Sequence, residues 1–408
     1  MKGIKADFAL LCDEDFTILK EPALVFDEKI VEIGEFFNIK QKYPNIIFNE
    51  LEKNTLLMPG LINPHTHLEY CASSGLLEFG DFITWLNSVI KNRDELQDRI
   101  SDEIIEDKLK ELLSFGTTAI GAISSFGLDL NPCTKTPLHV TFFTELLGSR
   151  PDSVDILFDE FKQRLRAVFD KSSQNLTPAL SIHSPYSTHP ILAKNALDIA
   201  KKENMVVSTH FMESLAEREW LDKGEGDFAK FFKSFSPYSK PFCSGMDFLT
   251  LFKDVKTLFT HCVFANEKEL NFIKNIGGSI THCPVSNRLL GSGKISFQKL
   301  KKMEISLNIG TDGLSSNYSL NLWDELRAAL MLHYDLNLNS LAKELLLSVT
   351  KEAACALNLN EGSLKVGKDA TFIALSIPKT TKENLPIQTI LHTKKAKKVY
   401  IKGEEIDV

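Results

Sequence analysis

The sequence lacks the long apolar runs that cross a bilayer. No run in its 408 residues approaches the roughly 20 apolar residues that a spanning helix needs. Residues 1–15, MKGIKADFALLCDED, carry acidic residues early and do not have the layout of a secretory signal. We therefore expect a cytoplasmic protein with no membrane partner.

An excess of basic residues is also absent. The 47 Lys and Arg are outnumbered by 54 Asp and Glu, which gives a formal charge of -7. The lysines are scattered along amphipathic segments, as is typical of solvated faces. A nucleic-acid surface would need a basic face, so we expect no nucleic-acid partner.

The cysteines form no recognisable framework. There are seven, an odd number, and no two are spaced as C-x-x-C. This pattern fits neither a disulfide scaffold nor a structural zinc knuckle. Cys262 and Cys283 each follow a histidine directly, and we interpret both as small buried apolar residues.

The sequence does contain eight short apolar runs between residues 56 and 313, and each ends at polar residues. The runs are LLMPGLINPHTH, GTTAIGAISS, HVTFFTELLG, PALSIHSPYS, MVVSTHFMES, TLFTHCVF, GSITHCPVSN and ISLNIGTDG. Segments with helical spacing, such as SDEIIEDKLKELLSF, lie between them. Strands that are apolar throughout are typical of parallel sheets with both faces covered. The alternation predicts an α/β protein with a (β/α)8 TIM barrel.

The two ends of the chain have a different pattern. Residues 1–55 and 362–408 alternate apolar and polar side chains, and neither segment is long enough for a stable core of its own. We predict that they form one small β-sandwich beside a catalytic barrel of residues 56–361. Residues 231–245 are interpreted as an insertion or lid after the fifth strand.

Six of the ten histidines fall at the ends of predicted strands, where barrels of this kind carry their chemistry. They are His65, His67, His183, His210, His261 and His282, and the eighth run ends at Asp312. His65 and His67 point to the same side of an extended chain. With His210 and Asp312 they make a set of three imidazoles and one carboxylate. That set suits one Zn²⁺ or Fe²⁺ ion and leaves a position for water.

We expect a single metal ion. A second ion would usually need a bridging anion, for which many barrels of this kind use a modified lysine on the fourth strand. The fourth run, PALSIHSPYS, contains no lysine.

Two further residues are candidates for proton transfer beside the ion. Glu213 follows His210 by three residues, and a turn there would bring its carboxylate close to the ion without ligating it. The alternative is an acidic residue at a helix N-terminus, but the neighbouring histidine favours the catalytic role. His261 either orients the water or is a core histidine with satisfied hydrogen bonds. Asp312 could ligate the ion and also accept a proton from water.

Taken together, these motifs resemble the amidohydrolase superfamily, in the branch of cytosine, guanine and S-adenosylhomocysteine deaminases and triazine chlorohydrolases. The matching pieces extend along nearly the whole chain: PGLINPHTH, HSPYS, STHFMESLAERE, HCVFANEKEL, SNRLLGSG, GTDGLSSNYSLNLWDELRAA and LKVGKDATFIAL. The resemblance maps the family's four ligand positions to the four predicted metal ligands. It implies that metal-activated water attacks an aromatic carbon bearing an amino group, and that ammonia leaves. Glu213 would protonate the ring nitrogen, and His261 and Asp312 would handle the proton of the water.

Within that branch, FDEKIVEIG, FMESLAERE, SNRLL and GTDGLSSN resemble the aminodeoxyfutalosine deaminases of the alternative menaquinone pathway. Their substrate is an adenine nucleoside with a benzoate group, so the resemblance implies a cation for the carboxylate. Arg288 and Arg150 are the candidates, and the alternative for each is a surface or loop-bracing role. His183, in HSPYS, resembles the substrate-contacting histidine of the adenosine-type deaminases; the alternative is a structural histidine that hydrogen-bonds a loop. Glu69 would meet a ribose hydroxyl or cap a helix.

Three kinds of function remain open. The first is a deaminase of a purine nucleoside, with aminodeoxyfutalosine preferred over S-adenosylhomocysteine and methylthioadenosine. The second keeps the fold and changes the reaction to guanine deamination, dechlorination or amide hydrolysis. The third is a non-catalytic relative, against which the complete set of predicted site residues argues. The resemblance also suggests a homodimer.

Overall fold

Seven short strands open the chain in the computed structural model, which describes residues 1–234 and 240–408. They are β1 (Lys2–Lys5), β2 (Phe8–Leu10), β3 (Ile18–Lys20), β4 (Pro22–Phe26), β5 (Ile30–Glu35), β6 (Phe48–Glu50) and β7 (Thr55–Pro59). Helix α1 (Phe36–Lys42) follows β5, and its Ile39 packs on Ala23 and Val25 of β4. Strand β4 is therefore buried on both faces.

The apolar runs in the middle of the chain form a closed parallel sheet. Its strands are β8 (Leu61–His67), β9 (Thr117–Ser124), β10 (His139–Leu146), β11 (Leu176–Ile182), β12 (Val207–Phe211), β13 (Thr257–His261), β14 (Ser279–His282), β15 (Leu307–Ile309) and β16 (Asp312–Gly313). Neighbouring strands pair in chain order from β8 to β15, and β16 pairs back onto β8. Because β15 and β16 are consecutive segments of the eighth strand, this pairing closes the barrel.

Helices follow or separate the barrel strands. They are α2 (Phe82–Lys91), α3 (Arg93–Arg99), α4 (Asp102–Ser114), α5 (Leu130–Lys135), α6 (Val154–Asp170), α7 (Pro190–Lys202), α8 (Leu215–Lys223), α9 (Asp227–Lys233), α10 (Gly245–Thr250), α11 (Glu267–Asn275), α12 (Pro284–Leu289), α13 (Phe297–Lys302), α14 (Leu322–Leu332), α15 (Leu338–Ser348) and α16 (Lys351–Leu357). Short 3-10 helices lie at Leu68–Tyr70 and Pro151–Ser153. Helix α4 shows why they form: the Ser101 side chain caps its first turn, and Ile105, Leu109 and Leu112 bury one face against the barrel.

The C-terminal residues complete the small sheets. They form β17 (Phe372–Ser376), β18 (Lys398–Ile401) and β19 (Glu404–Ile406), with α17 (Leu385–His392) packed on α14 and α15. One sheet has the strand order β5-β4-β1-β6, and the other has the order β19-β18-β17-β7-β2-β3. The second sheet therefore combines strands from both ends of the chain.

An aromatic cluster joins the two small sheets. Phe26 of β4 lies edge-on to Phe372 of β17, with ring centroids 5.0 Å apart, and Phe372 stacks on Tyr400 of β18 at 4.5 Å. All three rings are buried in one shared core. Edge-to-face and offset pairs of this kind add to the free energy of burial.

The first apolar run, LLMPGLINPHTH, contributes one strand to a small sheet and one to the barrel. Its first half is β7, which pairs with β17 and β2, and its second half is β8 of the barrel. Gly60 separates them at a point where a Cβ atom would lie 2.1 Å from Oγ1 of Thr118. A residue without a side chain is required there because the backbone passes so close to β9.

The predicted architecture is confirmed: a (β/α)8 barrel with extra β-sheets built from the chain ends. Of the predicted lid at 231–245, residues 235–239 lie outside the described residues. The remaining residues are the end of α9, the segment before α10 and the first residue of α10. Among the helices that the structure describes, none combines the length and apolar character needed to cross a membrane.

Replacing Phe372 tests whether the aromatic cluster stabilises the small sheets. We expect Phe372→Ala to lower the free energy of unfolding by about 3–5 kcal/mol, because it leaves a cavity between the sheets. The matched control is Phe37→Ala on α1, whose ring is 70% exposed and should have almost no effect. Thermal and urea unfolding measure both. Equal stability of the two variants would contradict the role of the cluster.

Candidate metal centre and active site

Four ligand-type side chains meet at one mouth of the barrel. His65 and His67 end β8, His210 lies near the end of β12, and Asp312 begins β16. One ligand atom from each lies within 4.8 Å of those of the other three. The strands are parallel and closed, so their carboxyl ends share one rim, and residues far apart in sequence converge there.

The cluster is compact and sheltered from solvent. Nε2 of His67 lies 3.4 Å from Oδ1 of Asp312, and Nε2 of His65 lies 3.7 Å from the same oxygen. The rings of His65 and His210 are edge-to-face, with centroids 5.0 Å apart. All four side chains are buried.

Neighbouring groups hold two of the imidazoles, those of His65 and His210, by the second ring nitrogen. Oγ1 of Thr260 is 3.3 Å from Nδ1 of His65, and the main-chain oxygen of His183 is 2.9 Å from Nδ1 of His210. Contacts of this kind fix the ring orientation of metal-binding histidines. Nε2 of His65 is buried without a hydrogen-bond partner among the described residues. An ion would satisfy that nitrogen, so the donor set fits a divalent metal.

The carboxylate of Asp312 is held in the same way. The hydroxyls of Ser286 and Ser316 donate to its Oδ2 at 2.8 and 2.9 Å. Its backbone has φ +60°, a conformation that non-glycine residues rarely adopt. Strain of this kind concentrates at functional sites, where surrounding contacts keep it in place.

Burial and charge set the protonation of the cluster. Burial lowers the pKa of His67 to about 4, so its imidazole is neutral near pH 7. Burial alone would raise the pKa of Asp312, but the imidazoles of His65 and His67 outweigh it and hold that pKa well below its usual range. Neutral imidazoles and an ionised carboxylate are the forms that bind metal.

Glu213 and His261 face each other beside the cluster. Oε1 of Glu213 lies 3.5 Å from Nε2 of His261, which lies 3.9 Å from Oδ2 of Asp312. Burial, together with the charge of Asp312, raises the pKa of Glu213 well above its usual value. Glu213 is therefore a carboxylic acid that can hold a proton at neutral pH.

A side-chain amide orients His261. Oδ1 of Asn287 is 2.8 Å from Nδ1 of His261, and the amide nitrogen is 3.2 Å from Nδ1 of His282. In this arrangement Nδ1 of His261 carries the hydrogen and Nε2 presents its lone pair towards Glu213 and Asp312. Burial lowers the pKa of His261 to about 4, so the ring is neutral and can accept a proton.

Among the predicted substrate contacts, His183 lies in the site. Its ring centroid is 5.0 Å from that of His210, and its Nδ1 is 2.6 Å from Oγ of Ser187. Glu69 also lies under the mouth, but its carboxylate accepts the backbone N–H groups of Ser125, Phe126 and Leu128. These contacts hold the loop after β9, and a contact of Glu69 with a ribose hydroxyl stays a prediction.

The two predicted arginines have different surroundings. Arg150 follows β10 and makes two contacts with Asp152, Nη2 to Oδ2 at 2.7 Å and Nε to Oδ1 at 3.2 Å. Arg288 is exposed on α12, one residue beyond Asn287. Its guanidinium has no hydrogen-bond or ion-pair partner in the part of the chain that the structure describes.

The sequence interpretation missed several residues of the site. Ser286 and Asn287 stand beside Arg288 in the quoted motif SNRLL, and Ser316 stands in GTDGLSSN, so the motifs could have drawn attention to them. Glu145, buried near the end of β10, has a ligand atom within 4.8 Å of those of His183 and His210. Its position inside an apolar run gave no comparable signal.

Comparison with known proteins identifies the family of the chain. Residues 56–406 match the model of the amidohydrolase family. A protein named aminodeoxyfutalosine deaminase from a Nitratiruptor species is 47% identical over 400 residues, covering 98% of both chains. A protein named adenosine deaminase from Helicobacter pylori is 35% identical over 409 residues, covering 99% of both. The crystal structure of Helicobacter pylori aminofutalosine deaminase with methylthio-coformycin has a TM-score of 0.95, 33% identity and complete coverage of both chains.

The chain therefore belongs to the amidohydrolase family, and the resemblance of its motifs to that family is confirmed.

Changes to the ligand set should alter metal content directly. We expect His67→Ala to remove most of the bound metal, whereas Ser286→Ala, which leaves the ligands in place, should weaken metal affinity about 10- to 100-fold. The control is His392→Ala, since His392 is exposed on α17. Elemental analysis after dialysis against a chelator series measures all three. Full metal content in His67→Ala would contradict the assignment of the cluster.

Proposed function

We propose that the protein is a metal-dependent deaminase that converts 6-aminodeoxyfutalosine to futalosine and ammonia in menaquinone biosynthesis. The observation that carries the proposal is the placement of a buried acid, Glu213, and a neutral base, His261, beside the four ligand-type side chains. The relative named aminodeoxyfutalosine deaminase, at 47% identity over 98% of both chains, supports this substrate class.

One divalent ion, Zn²⁺ or Fe²⁺, would be held by His65, His67, His210 and Asp312. Such an ion lowers the pKa of bound water and thereby supplies a nucleophile at neutral pH. The expected homodimer and cytoplasmic location stay predictions.

The residues around the ion divide the proton transfers between them. Glu213, protonated because it is buried, donates its proton to the purine nitrogen next to the carbon that carries the amino group. His261 and Asp312 accept the proton of the attacking water, for which the free lone pair of His261 Nε2 is suited. The water oxygen bonds to that carbon, and the proton taken by His261 and Asp312 passes to the amino group, so that the C–N bond breaks and ammonia leaves. The proton that remains on the oxygen returns to the carboxylate of Glu213 as the C=O bond forms, which restores Glu213 as the acid.

Contacts to the rest of the nucleoside set its orientation. The serine contact to Nδ1 of His183 leaves Nε2 as the ring atom that faces the purine. Arg288, with no partner for its guanidinium among the described residues, is the better candidate to bind the benzoate carboxylate, because Arg150 already pairs with Asp152. A nucleoside without the acid would leave this arginine without a partner. The resulting loss of affinity is small where the arginine stays exposed and larger where binding excludes water.

Changing Glu213 to Gln tests its role as the proton donor. We expect Glu213→Gln to retain the metal and lower kcat by about 10²- to 10⁴-fold, because the amide cannot deliver the proton. Ammonia release and elemental analysis on the same preparation separate chemistry from metal loss. A wild-type rate in this variant would remove Glu213 from the mechanism.

A panel of nucleosides tests the substrate and the arginine together. We expect 6-aminodeoxyfutalosine to have a higher kcat/KM than adenosine, methylthioadenosine or S-adenosylhomocysteine. Arg288→Gln should cost about 2 kcal/mol, or roughly 30-fold in kcat/KM, for the benzoate-bearing nucleoside alone. Arg150→Gln is the matched control and should have a smaller effect.

Faster turnover of S-adenosylhomocysteine than of 6-aminodeoxyfutalosine would contradict the preferred substrate. Equal losses on adenosine and on 6-aminodeoxyfutalosine in Arg288→Gln would contradict the carboxylate contact. Guanine or a chlorotriazine as the best substrate would instead support a different reaction on the same fold.

A further inference from the structure

The turn that carries Glu213 is held in an unfavourable backbone conformation. Met212 has φ +49°; at the end of β13 His261 has φ +71°, and Cys262 in the turn that follows has φ +52°. These values lie in the left-handed region, which side chains with a Cβ atom disfavour. Contacts outside the turns must therefore hold them.

Main-chain hydrogen bonds join the two turns. The N–H of Cys262 donates to the oxygen of Phe211 at 2.9 Å, and the N–H of Phe264 donates to the oxygen of Met212 at 2.9 Å. A displacement of one turn would therefore displace the other. The pair of turns fixes the 3.5 Å approach between Glu213 and His261.

The carboxylate of Glu217 holds the first of these two turns. Oε1 of Glu217 accepts the N–H of Met212 at 3.0 Å, and Oε2 accepts the N–H of Glu213 at 2.8 Å. Glu217 is fully buried in the first turn of α8, and its own N–H donates to the side chain of Ser214 at 3.1 Å. The side chain therefore starts from a fixed helix end.

Both oxygens of Glu217 are thus used on the turn that carries Glu213. The adjacent Arg218 directs its charge elsewhere, to Glu269 and Asp222. An amide at position 217 would have one acceptor oxygen and would place an NH₂ group against a second N–H donor. The turn would lose one of its two hydrogen bonds to residue 217, and with it a contact that stabilises the positive φ of Met212.

We propose that Glu217 is a positioning residue for the reaction: its carboxylate locks the coupled turns so that Glu213 meets both His261 and the substrate. This inference rests on the proposed deaminase function. The carboxylate of Glu217 accepts the N–H groups of Met212 and Glu213, so it acts on the rate through the placement of Glu213.

The first test is Glu217→Gln in the full-length, metal-loaded protein. We expect kcat for ammonia release to fall about 10- to 100-fold, the range typical of residues that orient a catalytic group, while metal content and KM stay near wild type. The matched control is Glu361→Gln. Glu361 is also a buried carboxyl group, with a pKa raised by burial to about 7 like that of Glu217, but it lines a cavity of about 340 Å³ at the opposite end of the barrel. Its kcat should equal that of the wild type.

A double-mutant cycle separates positioning from general destabilisation. Because Glu217 acts through Glu213, adding Glu217→Gln to Glu213→Gln should lower the residual rate by less than about threefold. Multiplied losses in the double variant would overturn the proposal, as would a wild-type kcat in Glu217→Gln alone. If Glu217→Gln does not fold, Glu217→Asp, which keeps the charge but shortens the side chain, replaces it with the same expected pattern and a smaller loss.

The wild-type assay distinguishes a failure of the proposed function from a failure of the positioning role. No ammonia release from any adenine nucleoside by the metal-loaded wild type would contradict the proposed function itself. An active wild type with an unimpaired Glu217→Gln would contradict only the positioning role.

Discussion

The structure depends on the burial of three imidazoles and a carboxylate together at one end of a closed barrel. Buried polar atoms are costly unless they are paired. Among the described residues, Thr260 supplies a partner to the far side of the His65 ring and the main chain of His183 supplies one to His210. The near side, including Nε2 of His65, faces the centre of the cluster. A divalent cation at that centre would satisfy these nitrogen atoms and offset the cost of burying them.

Buried glutamates form a second layer beneath the mouth, and each holds a loop by its backbone. Glu69 accepts N–H groups of the loop after β9, Glu217 those of the turn after β12, and Glu325 the N–H of Val285 at the start of α12. A buried carboxylate that accepts backbone N–H groups fixes a loop in a defined orientation, because hydrogen bonds are directional. Glu217 thus positions Glu213, and Glu325 positions the start of α12, which carries the serine that donates to Asp312.

Much of the architecture could be predicted from the sequence, because the repeated apolar runs indicate the strands and the geometry of a parallel barrel fixes where those strands end. Eight apolar runs imply eight buried strands, and parallel strands bring their final residues to one rim, which gathers His65, His67, His210 and Asp312. The contacts of Glu69 and Asn287 could not be predicted in this way. They depend on loop conformations, such as the left-handed residues after β12 and β13, which no periodic pattern encodes.

The most direct measurement of the central claim is anomalous diffraction from crystals of the metal-loaded protein at the absorption edge of the bound metal. We expect one peak per chain at about 2.0–2.2 Å from one ring nitrogen each of His65, His67 and His210 and from a carboxylate oxygen of Asp312. Two peaks in the mouth, or a single peak without His210 or Asp312 among its ligands, would contradict it.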